Sequence, residues 1–445
     1  MVWAHFDLSG FGLPGLSRDR QPLQANEVGA KRVLARQLRS VMSVKGVVAM
    51  RSGFIFALML LSACASLTQQ NPDVQVRLSL ANGKDFYRGG EPILLELTFT
   101  ARVPGYQINE ITTEPASPVD QVLLSPAKGV YSWLNDYSRQ GRYSPDYSTS
   151  NELQPGQPVT IKLPLNALYR FDEAGRYSVH VVTSRTSSGD FLHAKPAGPL
   201  ASNDVSFDIA PMDDTDESAE AEHLESLIRS ARDLRTAQHY ASQLQWLTGD
   251  PSTRVKLSLF LHPKEFYPFG VDVSYGLWVA RNRALVVSTL EQAMTDPQQP
   301  IGPVGSVLQM AVALKSRLQS PYDPASTTNP LPQVNQIEDE YVRRIVTTLP
   351  LRKDANLAST AITLLTSLAP RGKITTPEFK AAREALITHF ADVNEYQVDW
   401  VLNGYGKYLQ DSRMIPVLED MLGKIKFNTT RAAIENQLAA LRAKN

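Results

Sequence analysis

The sequence holds a single cysteine, Cys64, among 445 residues. One thiol cannot close an intramolecular disulfide or supply a multi-cysteine zinc site, so stability must come from packing. Net charge is absent too, with 45 basic and 45 acidic residues. The balance is uneven along the chain. The first 51 residues carry eight Lys or Arg against Asp7, Asp19 and Glu27, which leaves 37 basic and 42 acidic residues for the remainder. A mildly acidic body has no basic stripe to displace counterions from phosphates, which excludes nucleic acid as a partner. The motifs of the common chemistries are also missing: no H-E-x-x-H, no G-x-S-x-G and no G-x-x-x-x-G-K-[ST] occurs. The seven histidines (His5, His180, His193, His223, His239, His262 and His389) show no metal-ligand spacing. No cofactor and no metal are therefore expected. Paired carboxylates meet in space rather than in order, so a cell-wall or glycan hydrolase stays open as the alternative to a non-enzymatic protein.

What is present begins with an unbroken apolar run, Phe54 to Leu61, preceded by Arg51 and followed by Ser62 and Ala63. Its eight residues fall well short of the roughly 20 needed to span a bilayer. Together they have the layout of a secretory signal, expected over 42–63. Leu61-Ser62-Ala63-Cys64 resembles the lipobox of bacterial lipoproteins. That resemblance implies cleavage before Cys64 and a lipid on its thiol, and stable anchoring takes more than one acyl chain. Ala65 and Ser66, rather than Asp, follow the cysteine. By resemblance to proteobacterial sorting, this favours the outer membrane. Residues 1–49 form an extension foreign to such signals, and translation is expected to start at Met42 or Met50. Gly10-Phe11-Gly12-Leu13-Pro14-Gly15 matches G-x-G-x-x-G, but no strand-like run precedes it and Pro14 sits where the helix would begin, so no dinucleotide site is expected.

After a polar tether over 64–73, apolar residues alternate. Val74, Val76, Leu78 and Leu80 predict one strand with a single buried face, and Ile93, Leu95, Leu97 and Phe99 predict another. Further strands are predicted at Gln121–Leu124, Val159–Leu163, Tyr177–Thr183 and Val205–Ile209, separated by Pro and Gly. Together they predict an antiparallel β-sandwich over 74–211. Tyr169-Arg-Phe-Asp-Glu-Ala-Gly-Arg-Tyr177 and the alternating run after it resemble the entry to the sixth strand of immunoglobulin-like domains. The resemblance implies that the Tyr177 hydroxyl bonds back to the preceding corner. Val179 stands where disulfide-bearing members carry cysteine, which places the likeness with their disulfide-free bacterial relatives.

Beyond Pro211 the fold class changes to all-α over 212–445. The acidic run Asp213, Asp214, Asp216, Glu217, Glu220, Glu222, Glu225 lacks the Gly and ligand alternation of a calcium loop and reads as the start of a helix. Leu224, Leu227, Ile228, Ala231 and Leu234 share one predicted helical face, and Gly249-Asp250-Pro251 is expected to stop the next helix. Runs at Leu277–Ala293, Val304–Leu318, Ile337–Leu349, Asn356–Leu368, Thr376–Phe390, Tyr396–Leu409, Ile415–Leu422 and Arg431–Leu441 continue the pattern. Two of these resemble HEAT-type helices, Asp354–Leu368 and Met414–Leu422, which implies stacked hairpins; a compact bundle is the competing arrangement.

One constellation remains. Tyr131, Trp133, Tyr137, Tyr143 and Tyr147 interleave with Arg139 and Arg142 in a long connection of the sandwich. Tyr, Trp and Arg are the residue types that anchor interfaces, so these seven are the candidate contacts for an envelope protein or glycan partner. Packing of the sandwich against the helices would use the same rings. The expectation is a membrane-anchored binding or scaffold module.

Overall fold

The computed structural model describes residues 73–110, 119–132, 150–189, 195–262, 270–299, 301, 304–319, 332–352 and 357–443. A β-rich region comes first and a helical region follows. In the first sheet β3 (Leu94–Ala101) lies between β1 (Val74–Leu80) and β8 (Val159–Pro164), both antiparallel to it. The second sheet is built on β10 (Gly175–Thr183). One edge of β10 carries β5 (Asp120–Ser125), and the other carries β14 (Val205–Ala210) and β13 (Leu200–Ala201). Parallel to β14 runs β2 (Phe86–Arg88).

Period-two patterning decides which faces meet. Leu95, Leu97, Phe99 and Ala101 of β3 are buried alternately with half-exposed neighbours, as are Tyr177, Val179, Val181 and Thr183 of β10. These faces share one apolar cluster, in which Phe171, Tyr177 and Phe207 make edge and stacked ring contacts at 5.1 to 5.9 Å. All six predicted strands are present. The short strands β4 (Tyr106–Asn109), β7 (Ser150–Glu152), β11 (Thr186–Ser188) and β12 (Lys195–Pro196) form a third sheet that sequence reading did not find. Strands of two to four residues carry too few alternations to register. The last ladder pairs β6 (Val130–Tyr131) with β9 (Arg170–Phe171). The Tyr177 hydroxyl donates to the Glu173 carbonyl at 2.7 Å, closing the corner ahead of β10.

The described part of the helical region contains α1 (Asp214–Ser230), α2 (Leu234–Leu244), α3 (Asp250–Leu261), α4 (Gly270–Val279), α5 (Arg283–Thr295), α6 (Val304–Gln319), α7 (Pro332–Thr348), α8 (Leu357–Leu368), α9 (Pro377–Thr388), α10 (Glu395–Tyr405), α11 (Met414–Leu422) and α12 (Asn428–Arg442). Most helices pack on both their neighbour and the next but one: α1 on α3, α2 on α4, α5 on α7, α6 on α8, α7 on α9 and α10 on α12. That pattern belongs to helices laid in two rows, and one continuous apolar core runs between them from Ala221 to Leu441.

Three details depart from the sequence reading. The face drawn through Leu224, Ile228, Ala231 and Leu234 is broken, because α1 ends at Ser230 and the Asp233 carboxylate caps a new helix by accepting the Thr236 N–H at 2.9 Å. Leu234 is consequently exposed. Gly249-Asp250-Pro251 ends one segment and also begins α3, since a proline in the first turn has no N–H to lose. The run Leu277–Ala293 is two helices, with Asn282 capping the second through the Leu285 N–H at 3.1 Å. The acidic run does open a helix, and Asp213 caps it by accepting from Thr215 and Asp216.

Candidate functional site at the domain junction

The β-rich and helical regions meet where the β6–β9 ribbon reaches the C-terminal end of α4. Arg170 of β9 holds the junction. Its Nε and Nη2 donate to the two carboxylate oxygens of Asp172 at 2.7 and 2.9 Å. Its Nη1 donates to the carbonyls of Val279 and Ala280 at 2.9 and 3.0 Å. Those carbonyls lie at the negative end of a helix, where four C=O groups have no intrahelical partner and a cation is favoured. The Arg170 side chain is only 12% exposed; its bonds to the two carbonyls are partly buried, while its pair with Asp172 faces solvent. Asp172 also faces Arg281 Nε at 3.5 Å.

Tyr131 sits opposite Arg170 in the ribbon. Guanidinium groups lie over its ring from both regions, Arg170 at 4.8 Å and Arg283 at 5.0 Å, and the ring packs against the helical core. Of the predicted partner-contact residues, Tyr131 is thus engaged inside the chain. Trp133, Tyr137, Arg139, Arg142, Tyr143 and Tyr147 lie outside the described residues, as do Leu61, Ser62, Ala63 and Cys64.

A second contact seats the turn after β2 on the corner between α2 and α3. Gly90 has φ +81°, and a Cβ there would stand 2.5 Å from Leu247 Cδ2 and 3.3 Å from the Trp246 carbonyl oxygen. Only glycine permits both the backbone conformation and the approach. The corner itself is fixed from below. Glu217 of α1 accepts the Gly249 N–H at 2.6 Å and the Ser252 hydroxyl at 2.5 Å. Lys256 of α3 donates to the Leu247 carbonyl and, at 3.2 Å, to the Gly276 carbonyl. Lys256 has no exposed surface. Burial pushes its amine down to about 7, and the nearby Glu217 carboxylate works against that shift.

Among the described residues the charged residues buried as a whole are Arg185, Glu217, Lys256 and Arg352, and the Asp120 side chain is buried with Arg185. Each of the four buried residues binds at least one main-chain group. Arg185 pairs bidentately with Asp120 and donates to the Asn109 carbonyl at 2.8 Å. Arg352 donates to the Ala293 and Met294 carbonyls at the end of α5, at 2.7 and 3.1 Å. The carboxyl groups with displaced affinity, Asp233, Glu291, Glu384 and Asp411, are all held below the usual range. The Arg413 hydrogen bond draws Asp411 to about 2. None of these four is kept protonated near neutrality as a general acid would be. Among the described residues no group of three His, Cys, Asp or Glu could hold a metal ion, and no helix is long and apolar enough to cross a membrane.

Sequence reading missed Arg170, Asp172, Glu217 and Lys256. For Lys256 the signal was a lone cation in Val255-Lys-Leu-Ser-Leu-Phe-Leu261. For Arg170 there was none, because its helical partners lie 109 and 110 residues onward.

No family model matches the chain, and no curated protein matches it. A solved structure of native-conformation alpha-2-macroglobulin from E. coli is similar over 82% of this chain at 12% identity, with a TM-score of 0.18. The chain spans 25% of that protein's length. At that TM-score nothing is carried from one protein to the other.

Proposed function

We propose that this chain is an envelope lipoprotein, anchored through Cys64, whose two regions form one non-enzymatic binding module for an envelope protein or glycan. The anchor rests on the Leu61-Ser62-Ala63-Cys64 motif and on the body that begins at Val74 after a short tether. The binding role rests on one observation above others: apart from the Arg185–Asp120 pair inside the β-rich region, the buried charged groups bind main-chain amides and carbonyls at helix ends and at the junction. Charges used in this way hold a surface in place.

The sheet order supports an immunoglobulin-like reading of the first region, with β1-β3-β8 facing β5-β10-β14-β2 and the Tyr177 corner bond present. The two-row packing of helices supports a HEAT-like stack, a geometry that offers extended surfaces for binding. Trp133, Tyr137 and Arg142 are the proposed anchors of the partner, since aromatic and Arg side chains dominate interface energetics.

Membrane fractionation of Cys64→Ser tests the anchor. Loss of the protein from the membrane fraction, with an uncut or differently cut precursor, is the expected result; unchanged fractionation and mobility would remove it. A thermal melt of Trp133→Ala tests the anchors before any partner is identified. An interface residue leaves the melting temperature nearly unchanged, whereas a ring buried between the two regions costs about 3 to 5 kcal/mol when truncated.

A further inference from the structure

Lys256 bonds to both surfaces on which the β-rich region rests. Its amine donates to the Leu247 carbonyl, in the corner that meets Gly90, and at 3.2 Å to the Gly276 carbonyl in the last turn of α4. Arg170 of the β-rich region holds that same helix end through the Val279 and Ala280 carbonyls. One further bond joins the two surfaces directly, from the Arg281 N–H to the Thr248 carbonyl at 2.8 Å. Packing over the amine is close. A Cβ at Gly276 would stand 2.6 Å from Lys256 Cδ and 3.1 Å from Gln245 Cα, so α4 lies directly on the lysine stem and on the main chain of the corner. Lys256 is fully buried, and water can reach its amine once the corner and α4 part, since these are the groups it bonds.

The charged groups around the amine are Glu217 of α1 and, at the same end of α4, Arg283 of α5, which donates to the Trp278 carbonyl at 3.3 Å, and Arg170 of β9. Neither guanidinium releases a proton in a protein. A charged ammonium buried here keeps its carbonyl bonds but loses the water that a charge requires, and the Glu217 carboxylate offsets only part of that loss. Burial therefore lowers the amine from an ordinary 10.5 to about 7. Protons favour whichever state returns it to water.

We propose that the junction is an acid-sensitive hinge: protonation of Lys256 parts the α2–α3 corner from the end of α4 and loosens the seat of the β-rich region, without unfolding either region. Linkage sets the direction. Above about 7 the closed form holds a neutral amine and tightens as pH rises towards 10.5, whereas below 7 the amine is charged in both forms and the dependence ends. Opening confined to a corner and a helix end costs less than global unfolding, so it governs exchange at this place. Histidine also changes charge near neutrality. Those of the described residues are engaged elsewhere, His180 with Asp204, His239 with Gln243, His262 with the Ser258 carbonyl and His389 with Asp392, while His223 lies exposed on α1.

Hydrogen exchange of the full chain at pH 6 and pH 8.5, read by mass spectrometry on peptides covering Arg281 and, as a reference, α12, tests the hinge after correction for chemical exchange. Protection of the Arg281 amide is expected to fall about thirtyfold at the lower pH, the linkage for an amine that moves from about 7 to 10.5 on opening, while α12 keeps its protection. Lys256→Met should give Arg281 the same protection at both pH values. In the wild-type chain a carbon-13 label on the lysine ε-carbons follows the amine itself, whose titration is expected near pH 7. Equal protection of Arg281 at the two pH values in wild type would overturn the proposal, as would the same fall in Lys256→Met. A matching fall in α12 would mean global unfolding in place of a hinge and would overturn it too. So would an amine that stays charged up to pH 9.

Discussion

Glu217 and Lys256 together hold the corner between α2 and α3, the carboxylate accepting the Gly249 N–H and the amine donating to the Leu247 carbonyl. Both side chains are buried, and the segment they hold is the one on which Gly90 of the β-rich region rests. A polar network in the helical core thereby positions the contact surface of the other region.

The Lys256 amine gives that network a pH dependence. Its affinity in the fold is lowered to about 7 by burial, from an ordinary 10.5. Between those values the unfolded chain binds a proton that the folded chain does not, so stability rises with pH across the window. The slope is at most about 1.4 kcal/mol per pH unit. Urea unfolding at pH 7 and pH 9 should show wild type gaining stability and Lys256→Met losing most of that gain. Equal slopes in the two proteins would show that Lys256 stays charged in the fold.

Gly90 and Gly105 share a left-handed backbone, at φ +81° and +92°, but only Gly90 is pressed against a neighbour. Gly105→Ala should cost about 1 to 2 kcal/mol, the strain of that conformation for an L-residue. Gly90→Ala should cost about 1 to 3 kcal/mol more, from overpacking against Leu247. Chemical denaturation of the pair measures the difference directly, and equal losses would mean that the junction yields freely at this point.

Arg170→Lys tests whether the junction needs a guanidinium or only a charge. One ammonium cannot reproduce a bidentate bond to Asp172 together with bonds to two carbonyls. The variant should lose about 2 kcal/mol and unfold over a broader range as the two regions separate. Retention of a single sharp transition at wild-type stability would place the coupling elsewhere.

Tyr177→Phe removes the hydroxyl that donates to the Glu173 carbonyl while leaving the ring among Phe171 and Phe207. A loss of about 0.5 to 1.5 kcal/mol is expected. The change should be confined to the β-rich region, and exchange rates of the amides in β10 and β14 would report it. Unaltered exchange there would remove the corner bond from the account of stability.

By itself the sequence determined the order of the two regions, the principal strands and most of the helices, though not α3 or the separation of α4 from α5. Each of these depends on a local period of apolar residues, two for Leu95 to Ala101 and near 3.6 for Leu224 and Ile228, which neighbours along the chain record. The resemblance of Asp172 to Tyr177 to an immunoglobulin-like corner implied a bond from the Tyr177 hydroxyl, but a tyrosine that only packs across the strands fits the same pattern, and the structure decided for the bond to Glu173. Only the tertiary structure decided which charges are buried and what they hold. Glu217 reaches Gly249 across 32 residues, and Arg170 reaches Val279 across 109. No pattern of neighbours encodes such pairings, since burial of a charge is tolerated only once a distant donor or acceptor has been folded against it.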